Sequence, residues 1–414
     1  MVAAATVAFS LPAQADDVTV AQTAPAPKPS PTATPNPLQT SEFIDLGTQS
    51  ASAHAADGSI PTSTFGGKNG QLQLHNLNLQ ASYTGTFGGK VELSVGEDAA
   101  VIHSYPQVYG VSSGLVPQAQ PASDSSVDLT QAYLSYTSGP LSIIAGKFET
   151  LAGAEVIEAT GNTNYSRSIL FGYAIPFTHT GVRASYTVSP SLTANLGFNK
   201  GWDDTRSLGA GAYYDNPSEP QADTNSLTTE LGLAYNPTKA LSVTGQLYDG
   251  QVENSAYEYV TPSNNRTLLD LVASYKFSDT ITGILNYDTA QQTNALNLNG
   301  DGFNGTAKWS GLAAYLNDQI TPKWLLSLRA ESFDDANGYR LDGPWNTPSL
   351  DSVYRVGTTW REGTLTGTYT FNKNLSGRAE LRSDSASNPI FVKNDGTLGK
   401  TNTTFGLEAI LKSN

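Results

Sequence analysis

A chain of 414 residues would ordinarily hold two or three soluble domains, with closed all-β barrels as the main exception. Its net charge of −14 offers no basic patch to a phosphate backbone, so nucleic acid is excluded as a partner. With no cysteine there are no disulfides and no thiolate metal sites, and the fold must rest on backbone hydrogen bonds and packing.

At the N-terminus residues 2–11 are apolar or small, and Ala13-Gln14-Ala15 precedes Asp16. This is the pattern of a secretory signal with a small-residue cleavage site after Ala15, atypical because no Lys or Arg comes before the apolar run. Residues 24–37 then alternate proline with small residues. Proline removes backbone donors and stiffens the chain, so 16–40 is read as an extended linker. No later segment approaches the roughly 18 apolar residues that a membrane-spanning helix needs.

From residue 41 to the end the pattern changes to a period of two. In 324–332, Trp324, Leu326, Leu328 and Ala330 alternate with Arg329 and Glu331. In 364–371, four threonines alternate with Leu365, Gly367, Tyr369 and Phe371. In 375–382, Leu375, Gly377, Ala379 and Leu381 oppose Ser376, Arg378, Glu380 and Arg382. Successive strand side chains point to opposite faces, so one face meets an apolar medium and the other meets water. The connections also alternate. Short ones lie near 84–88, 138–140, 189–191, 236–240, 278–280, 320–323 and 372–374, and long ones near 52–70, 96–126, 150–176, 203–225, 252–264, 291–307, 335–350 and 385–400. Seven short turns and eight long loops separate sixteen strands. Strands of about 9–12 residues with all short turns on one rim predict a closed antiparallel transmembrane β-barrel of about 16 strands. Aromatic residues recur at the expected strand ends, namely Tyr83, Phe87, Tyr136, Phe148, Tyr186, Tyr235, Tyr275, Phe277, Tyr287, Trp324, Tyr369 and Phe371. Such rings form girdles at headgroup depth. A barrel this wide is expected to keep an aqueous lumen, because side chains cannot fill it.

Several blocks carry a family resemblance. These are Gly146-Lys147-Phe148-Glu149-Thr150, Gly153-Ala154-Glu155-Val156 and Asn162-Thr163-Asn164-Tyr165-Ser166-Arg167-Ser168, continued by residues 174–183 and Asn199-Lys200-Gly201-Trp202-Asp203. Together with the opening Glu42-Phe43-Ile44-Asp45-Leu46, they resemble the OmpL-like outer-membrane β-barrel porins over about 41–412. The resemblance implies a bacterial outer-membrane channel without a catalytic set or cofactor. The linker 16–40, lying between the cleavage site and the barrel, is expected in the periplasm, and 41–414 is expected to be the barrel. The chain departs from many such barrels at its end, Leu411-Lys412-Ser413-Asn414, where the nearest aromatic residue is Phe405.

The expected function is passive diffusion of small hydrophilic solutes and ions. A substrate-specific channel, a barrel enzyme and a structural adhesin are the alternatives. Expected partners are outer-membrane lipids, the solutes and the barrel-assembly machinery; a homo-oligomer is compatible, though no interface is readable. Among candidate site residues, the four histidines His54, His75, His103 and His179 lack close metal-ligand spacing, so no metal is expected. The run from Asn297 to Gly302 resembles the start of a calcium loop, but its twelfth position is Lys308 where a bidentate Glu is required. Parity assigns Lys90, Glu92, Arg183, Asn199, Asp288, Arg329, Glu331, Arg378, Glu380 and Arg382 to the lumen wall, and their mixed signs predict weak charge selectivity. The long loop 150–176 carries Glu155, Glu158, Asn162, Asn164, Tyr165 and Arg167 and follows a strand bearing Lys147. Folded inward, its opposed charges would form a constriction with a transverse field; the competing expectation is a solvated loop on the outer rim.

Overall fold

The computed structural model describes residues 38–55, 58–60, 62–66, 68–102, 126–200, 227–251, 265–295, 305–341 and 357–413. The expected signal segment, the linker up to 37, His103, Trp202, Asp203 and the calcium-like run at 297–302 lie outside the described residues.

Where one side of a strand meets lipid and the other an enclosed interior, alternation in sequence becomes alternation in space. The strands in chain order are β1 (Leu38–Ala51), β2 (Leu72–Tyr83), β3 (Phe87–Val95), β4 (Val127–Ser138), β5 (Leu141–Glu149), β6 (Thr178–Ser189), β7 (Leu192–Asn199), β8 (Thr228–Tyr235) and β9 (Leu241–Gln251). They continue with β10 (Asn265–Lys276), β11 (Ile281–Ala295), β12 (Gly305–Thr321), β13 (Trp324–Asp335), β14 (Thr358–Thr370), β15 (Leu375–Ala386), β16 (Phe391–Val392), β17 (Leu398–Gly399) and β18 (Thr401–Lys412). Sixteen of them, all but β16 and β17, form one closed barrel in which each pairs antiparallel with its neighbours. The first and last strands make the seam, running from Phe43 opposite Lys412 to Ala51 opposite Thr404. Every short turn expected from the sequence falls between two of these strands, and β1 starts at Leu38, slightly ahead of the expected 41. The pair β16–β17 forms a small separate hairpin, and a short helix α1 (Glu97–Ile102) follows β3.

The outer face is apolar. Leu316, Leu328, Leu365, Leu381 and Phe405 stand opposite one another in register across β12, β13, β14, β15 and β18, all exposed. Nearer the short turns, Tyr83, Phe87, Tyr136, Tyr186, Tyr235, Tyr275, Phe277, Trp324 and Phe371 are exposed in a ring. Phe148 does not belong to that girdle. It is buried inside, with the Arg183 guanidinium 4.3 Å above its ring. It lies at the long-loop end of β5, on the inward-facing side of the strand.

Register shifts occur in five strand pairs, three of them near strand ends; the two within strands lie where β1 meets β2 at Asp45/Leu46 and where β3 meets β4 at Glu92/Leu93. A bulge sets two residues of one strand against one of its partner. As a result His75 and Asn76 on β2, and Thr130 and Gln131 on β4, are buried as consecutive pairs.

Part of the interior is apolar. Inward residues Leu268, Val272, Ile284, Trp309, Tyr315, Phe333 and Trp360 make one apolar cluster with Phe65, Ile102, Ile157, Ile169, Leu170, Phe171, Ile175 and Phe177 from the long connections. Chain segments thus fill part of a space that wall side chains alone are too short to fill.

The outer stripe yields a prediction. Replacing Leu328 by Arg near mid-depth should cost about 2–4 kcal/mol of stability, against much less for Leu328→Ala. Urea unfolding of the barrel refolded in lipid vesicles checks this.

Candidate functional site: the inward segment between β5 and β6

A buried loop normally carries backbone groups that nothing satisfies. The segment 150–177 meets this requirement with side chains of the barrel wall. It is closed at its neck by the Thr150 N–H donating to the Phe177 carbonyl at 2.9 Å, and it turns at Gly153, whose φ of +93° lies in the left-handed region that glycine tolerates. It includes a 3₁₀ turn at Ala159–Gly161 and a π-helical turn at Leu170–Ala174.

Wall carboxylates take the segment's N–H groups. Glu380 accepts from the amides of Tyr165 (2.7 Å) and Ser166 (3.0 Å), and Glu331 accepts from those of Ile169 (2.6 Å) and Leu170 (3.1 Å). Wall arginines take its carbonyls. Arg329 donates to Ser166 O at 2.6 Å, Arg382 to Arg167 O at 2.7 Å, and Arg378 to Ala159 O at 3.1 Å and to Asn162 O. On the opposite arc, Asn286 of β11 accepts from the Ala154 N–H at 3.0 Å, Trp309 of β12 donates to Ala174 O at 3.1 Å, and Tyr248 of β9 bonds at the neck. His75 of β2 meets the Tyr165 hydroxyl at 2.7 Å.

The seven constriction candidates take distinct places in this framework. Glu155 pairs with Arg329 at 2.8 Å and accepts from the Ser168 N–H and hydroxyl. Asn162 bonds both the N–H and the carbonyl of Val156, pinning the turn. Asn164 donates to Thr366 at 2.7 Å. Tyr165 is clamped between Glu380 and His75, and burial pushes its hydroxyl pKa well above the ordinary range. Arg167 donates to three carbonyls of its own segment, those of Val156, Ile157 and Tyr165, and lies over the Phe65 ring. Lys147 pairs with Asp128 at 3.1 Å on β4. Glu158 reaches the wall beneath, where its carboxylate oxygens and those of Glu92 and Glu149 lie within 4.8 Å of one another. These charges fasten the segment to the wall and to itself. They are not arrayed as two open rows facing across water.

The ten wall candidates are all buried. Five of them, Arg329, Glu331, Arg378, Glu380 and Arg382, hold the segment. Lys90 pairs with Glu92 at 2.7 Å, Arg183 with Glu230 at 2.8 Å, and Asn199 donates to Glu230 at 3.3 Å. Asp288 accepts from Asn286 at 3.4 Å and stands opposite Asp270. Sequence reasoning weighed His75 only as a metal ligand and did not single out Glu362, Thr366, Tyr248 or Trp309. Thr366 was at least on the polar side of its strand, whereas the bulge hid His75. Among the described histidines, His54 lies in the connection after β1, His75 on β2 and His179 on β6, stacked on Tyr248. The sequence also contains one Gly-x-Ser-x-Gly match, Gly110–Gly114, outside the described residues. A nucleophile elbow needs a strand-to-helix turn around that serine before the match carries meaning.

A closed sixteen-stranded barrel with an apolar outer face and a tethered inward segment is the architecture of an outer-membrane channel. The chain belongs to the family described as putative beta-barrel porin-2, OmpL-like, whose model matches residues 37–412. Among solved structures it is similar to the outer membrane channel DcaP of Acinetobacter baumannii, with 16% identity over 91% of this chain and 97% of that one and a TM-score of 0.55. It is also similar to an anion-selective porin from Comamonas acidovorans (13% identity, 91% and 99% covered, TM-score 0.55) and to OmpT of Vibrio cholerae in its trimer form (12%, 91% and 99%, 0.53). At such identities the likeness is one of fold. No curated protein matches the sequence.

Two predictions follow from the tethering. Arg329→Met leaves Glu155 and Glu362 buried without their cation, so it should destabilise docking of the segment by about 3–5 kcal/mol. Hydrogen exchange of residues 155–168 in the refolded barrel measures this as a loss of protection. Burial, with Glu149 and Glu92 nearby, pushes the Glu158 carboxyl well above the usual carboxylate range. The docked state therefore holds a proton that the undocked state releases. Docking is favoured at low pH and weakens as pH rises above the usual carboxylate range. Melting curves should show this slope in the wild type and a flatter one in Glu158→Gln.

Proposed function

We propose that this porin is a passive diffusion channel for small hydrophilic solutes and ions, and that the segment 150–177 sets the narrowest part of its path. The observation that carries the reading is the span of the tether. One segment leaves β5 and is bonded to β2, β9, β11, β12, β13, β14 and β15, so a solute passing through the barrel must pass beside it. Fixed hydrogen bonds from a closed wall keep such an aperture at constant size, as a size filter requires. No cofactor or catalytic residue is part of this reading. The wall lies in outer-membrane lipid, and insertion by the barrel-assembly machinery and association into a homo-oligomer are part of the same proposal.

Charge selectivity is proposed to be weak, with a slight preference for cations. Inward arginines and lysines are matched to acids in the pairs Lys90–Glu92, Arg183–Glu230, Arg329–Glu362, Arg378–Glu408 and Arg382–Asp384, whereas Asp270 and Asp288 face each other without a basic partner among the described salt bridges. A Comamonas porin of similar fold is described as anion-selective, and on this reading the two would differ through their linings.

Single-channel recording in planar bilayers tests both parts. Deleting 153–168 should raise conductance several-fold, and reversal potentials in a salt gradient should be small and favour the cation. Conductance unchanged by the deletion would remove the segment from the solute path.

A further inference from the structure

The rim of short turns, which lies on the periplasmic side of such a barrel, is charged on one arc only. The turns β2–β3, β4–β5 and β6–β7, at 84–86, 139–140 and 190–191, contain no charged residue. The next four hairpins each bring a lysine to the rim: Lys239, Lys276, Lys323 and Lys373. All four are exposed, and none makes a salt bridge among the described residues.

Two of these lysines frame a surface of aromatic rings. Trp324 of β13 packs on Tyr369 of β14 with ring centroids 4.8 Å apart, and Tyr369 meets Phe371 edge-on at 4.9 Å. Trp324 and Phe371 are exposed, and Phe371 leans over Gly377 of β15, where a Cβ would come within 3.2 Å of the ring. The Lys323 ammonium stands 5.9 Å from the centre of the Tyr369 ring, and the Lys323 carbonyl accepts from the Thr370 N–H at 2.9 Å. Lys373 leaves the β14–β15 turn at the other end of this plate, two strands or about 10 Å away. Lysine's long stem lets both ammonium groups reach the space between them. The outward acid at this depth, Asp318, stands on β12, on the far side of β13 from Lys373. Toward the mid-plane the plate borders Gly367 and Ala379, opposite one another, and then the leucine row Leu328, Leu365 and Leu381. The two small residues leave a shallow trough between rings and leucines.

We propose that this plate binds one anionic glycerophospholipid of the periplasmic leaflet. The phosphate lies between Lys323 and Lys373, the glycerol rests on the three rings, and an acyl chain runs along the trough onto Leu365 and Leu381. The periplasmic leaflet of an outer membrane is built of glycerophospholipids, so the ligand is present at this face. Two cations with no acid between them favour a headgroup of net negative charge. A zwitterionic headgroup brings its own ammonium against them. The pair Phe87–Tyr136, with centroids 5.2 Å apart on the neutral arc, offers rings without lysines and does not discriminate in this way.

Native mass spectrometry of the full barrel in neutral detergent, titrated separately with dioleoyl phosphatidylglycerol and dioleoyl phosphatidylethanolamine, tests the proposal. Phosphatidylglycerol should be retained at one site about tenfold more tightly, as expected for charge-assisted contacts. Lys323→Gln and Lys373→Gln should each lower its retention about fivefold, the effect of one lysine at a charged membrane surface, and together should remove the preference. Lys239→Gln, on the same rim but outside the plate, should leave it intact. All three positions are exposed in turns, so folding is checked by an unchanged circular dichroism spectrum. Equal retention of the two lipids, a double variant that still prefers phosphatidylglycerol, or an equal loss in Lys239→Gln would each overturn the proposal. So would full competition by soluble glycerol phosphate, which carries the charge without the chains, or by a soluble anionic peptidoglycan fragment, which would assign the lysines to the cell-wall polymer. Channel conductance is a separate readout, so failure here leaves the porin function untouched.

Discussion

Lipid offers no hydrogen-bond partner, and the rest of this molecule answers to that fact. An open sheet edge in hydrocarbon would leave a row of N–H and C=O groups unpaired, each at several kcal/mol, so the sheet has to close on itself. Closure occurs where β1 meets β18 along nine opposed residues. It also explains the period of two. Each strand shows leucines such as Leu328, Leu365 and Leu381 to lipid, and the residues between them, Arg329, Thr366 and Arg382, are turned inside.

The same constraint returns inside the barrel in a different form. The segment between β5 and β6 is irregular and buried, so its backbone cannot pair with itself as a strand or a long helix would. Glu331 and Glu380 each receive two consecutive amides, and Arg329, Arg382 and Arg378 donate to the carbonyls of Ser166, Arg167 and Ala159. Acid for donors and guanidinium for acceptors is the pairing that each group's chemistry allows, and ionised partners make such bonds stronger than neutral ones. The charges also compensate one another, since Arg329 lies between Glu155 and Glu362. A buried charge left alone would cost more than the bonds return.

This accounts for what was legible in the sequence and what was not. Strands and turns were legible because parity is local: Leu375 to Arg382 reads the same on paper as in the barrel, and a Ser-Gly-Pro turn at 138–140 needs no distant information. Two kinds of feature were hidden. A bulge depends on the partner strand, so the shift that turns His75 and Asn76 inward together has no mark within β2 itself. Strands such as β10 and β12 carry apolar residues on both faces: Leu268 and Trp309 look inward and Leu269 and Leu312 outward. Their composition cannot tell lipid from a buried segment, because both are apolar. The charged residues of 150–176 could be named, but many of the groups that hold the segment lie 130 to 220 positions away, and that partnership decides its place.

If the segment sets the aperture, as proposed, a tether of this kind shares its determinants between the loop and the wall. A loop held by its own side chains would be reshaped by changing those side chains. Here Ser166, Ile169 and Leu170 are held through their backbone groups, which every amino acid except proline presents alike. Ile169 and Leu170 bury their side chains in the inner apolar cluster as well, so packing limits their size while Arg329, Glu331 and Glu380 fix the path of the chain. On the proposed reading, the width of the passage therefore depends on β13 and β15, which hold the backbone, as well as on the segment laid against them.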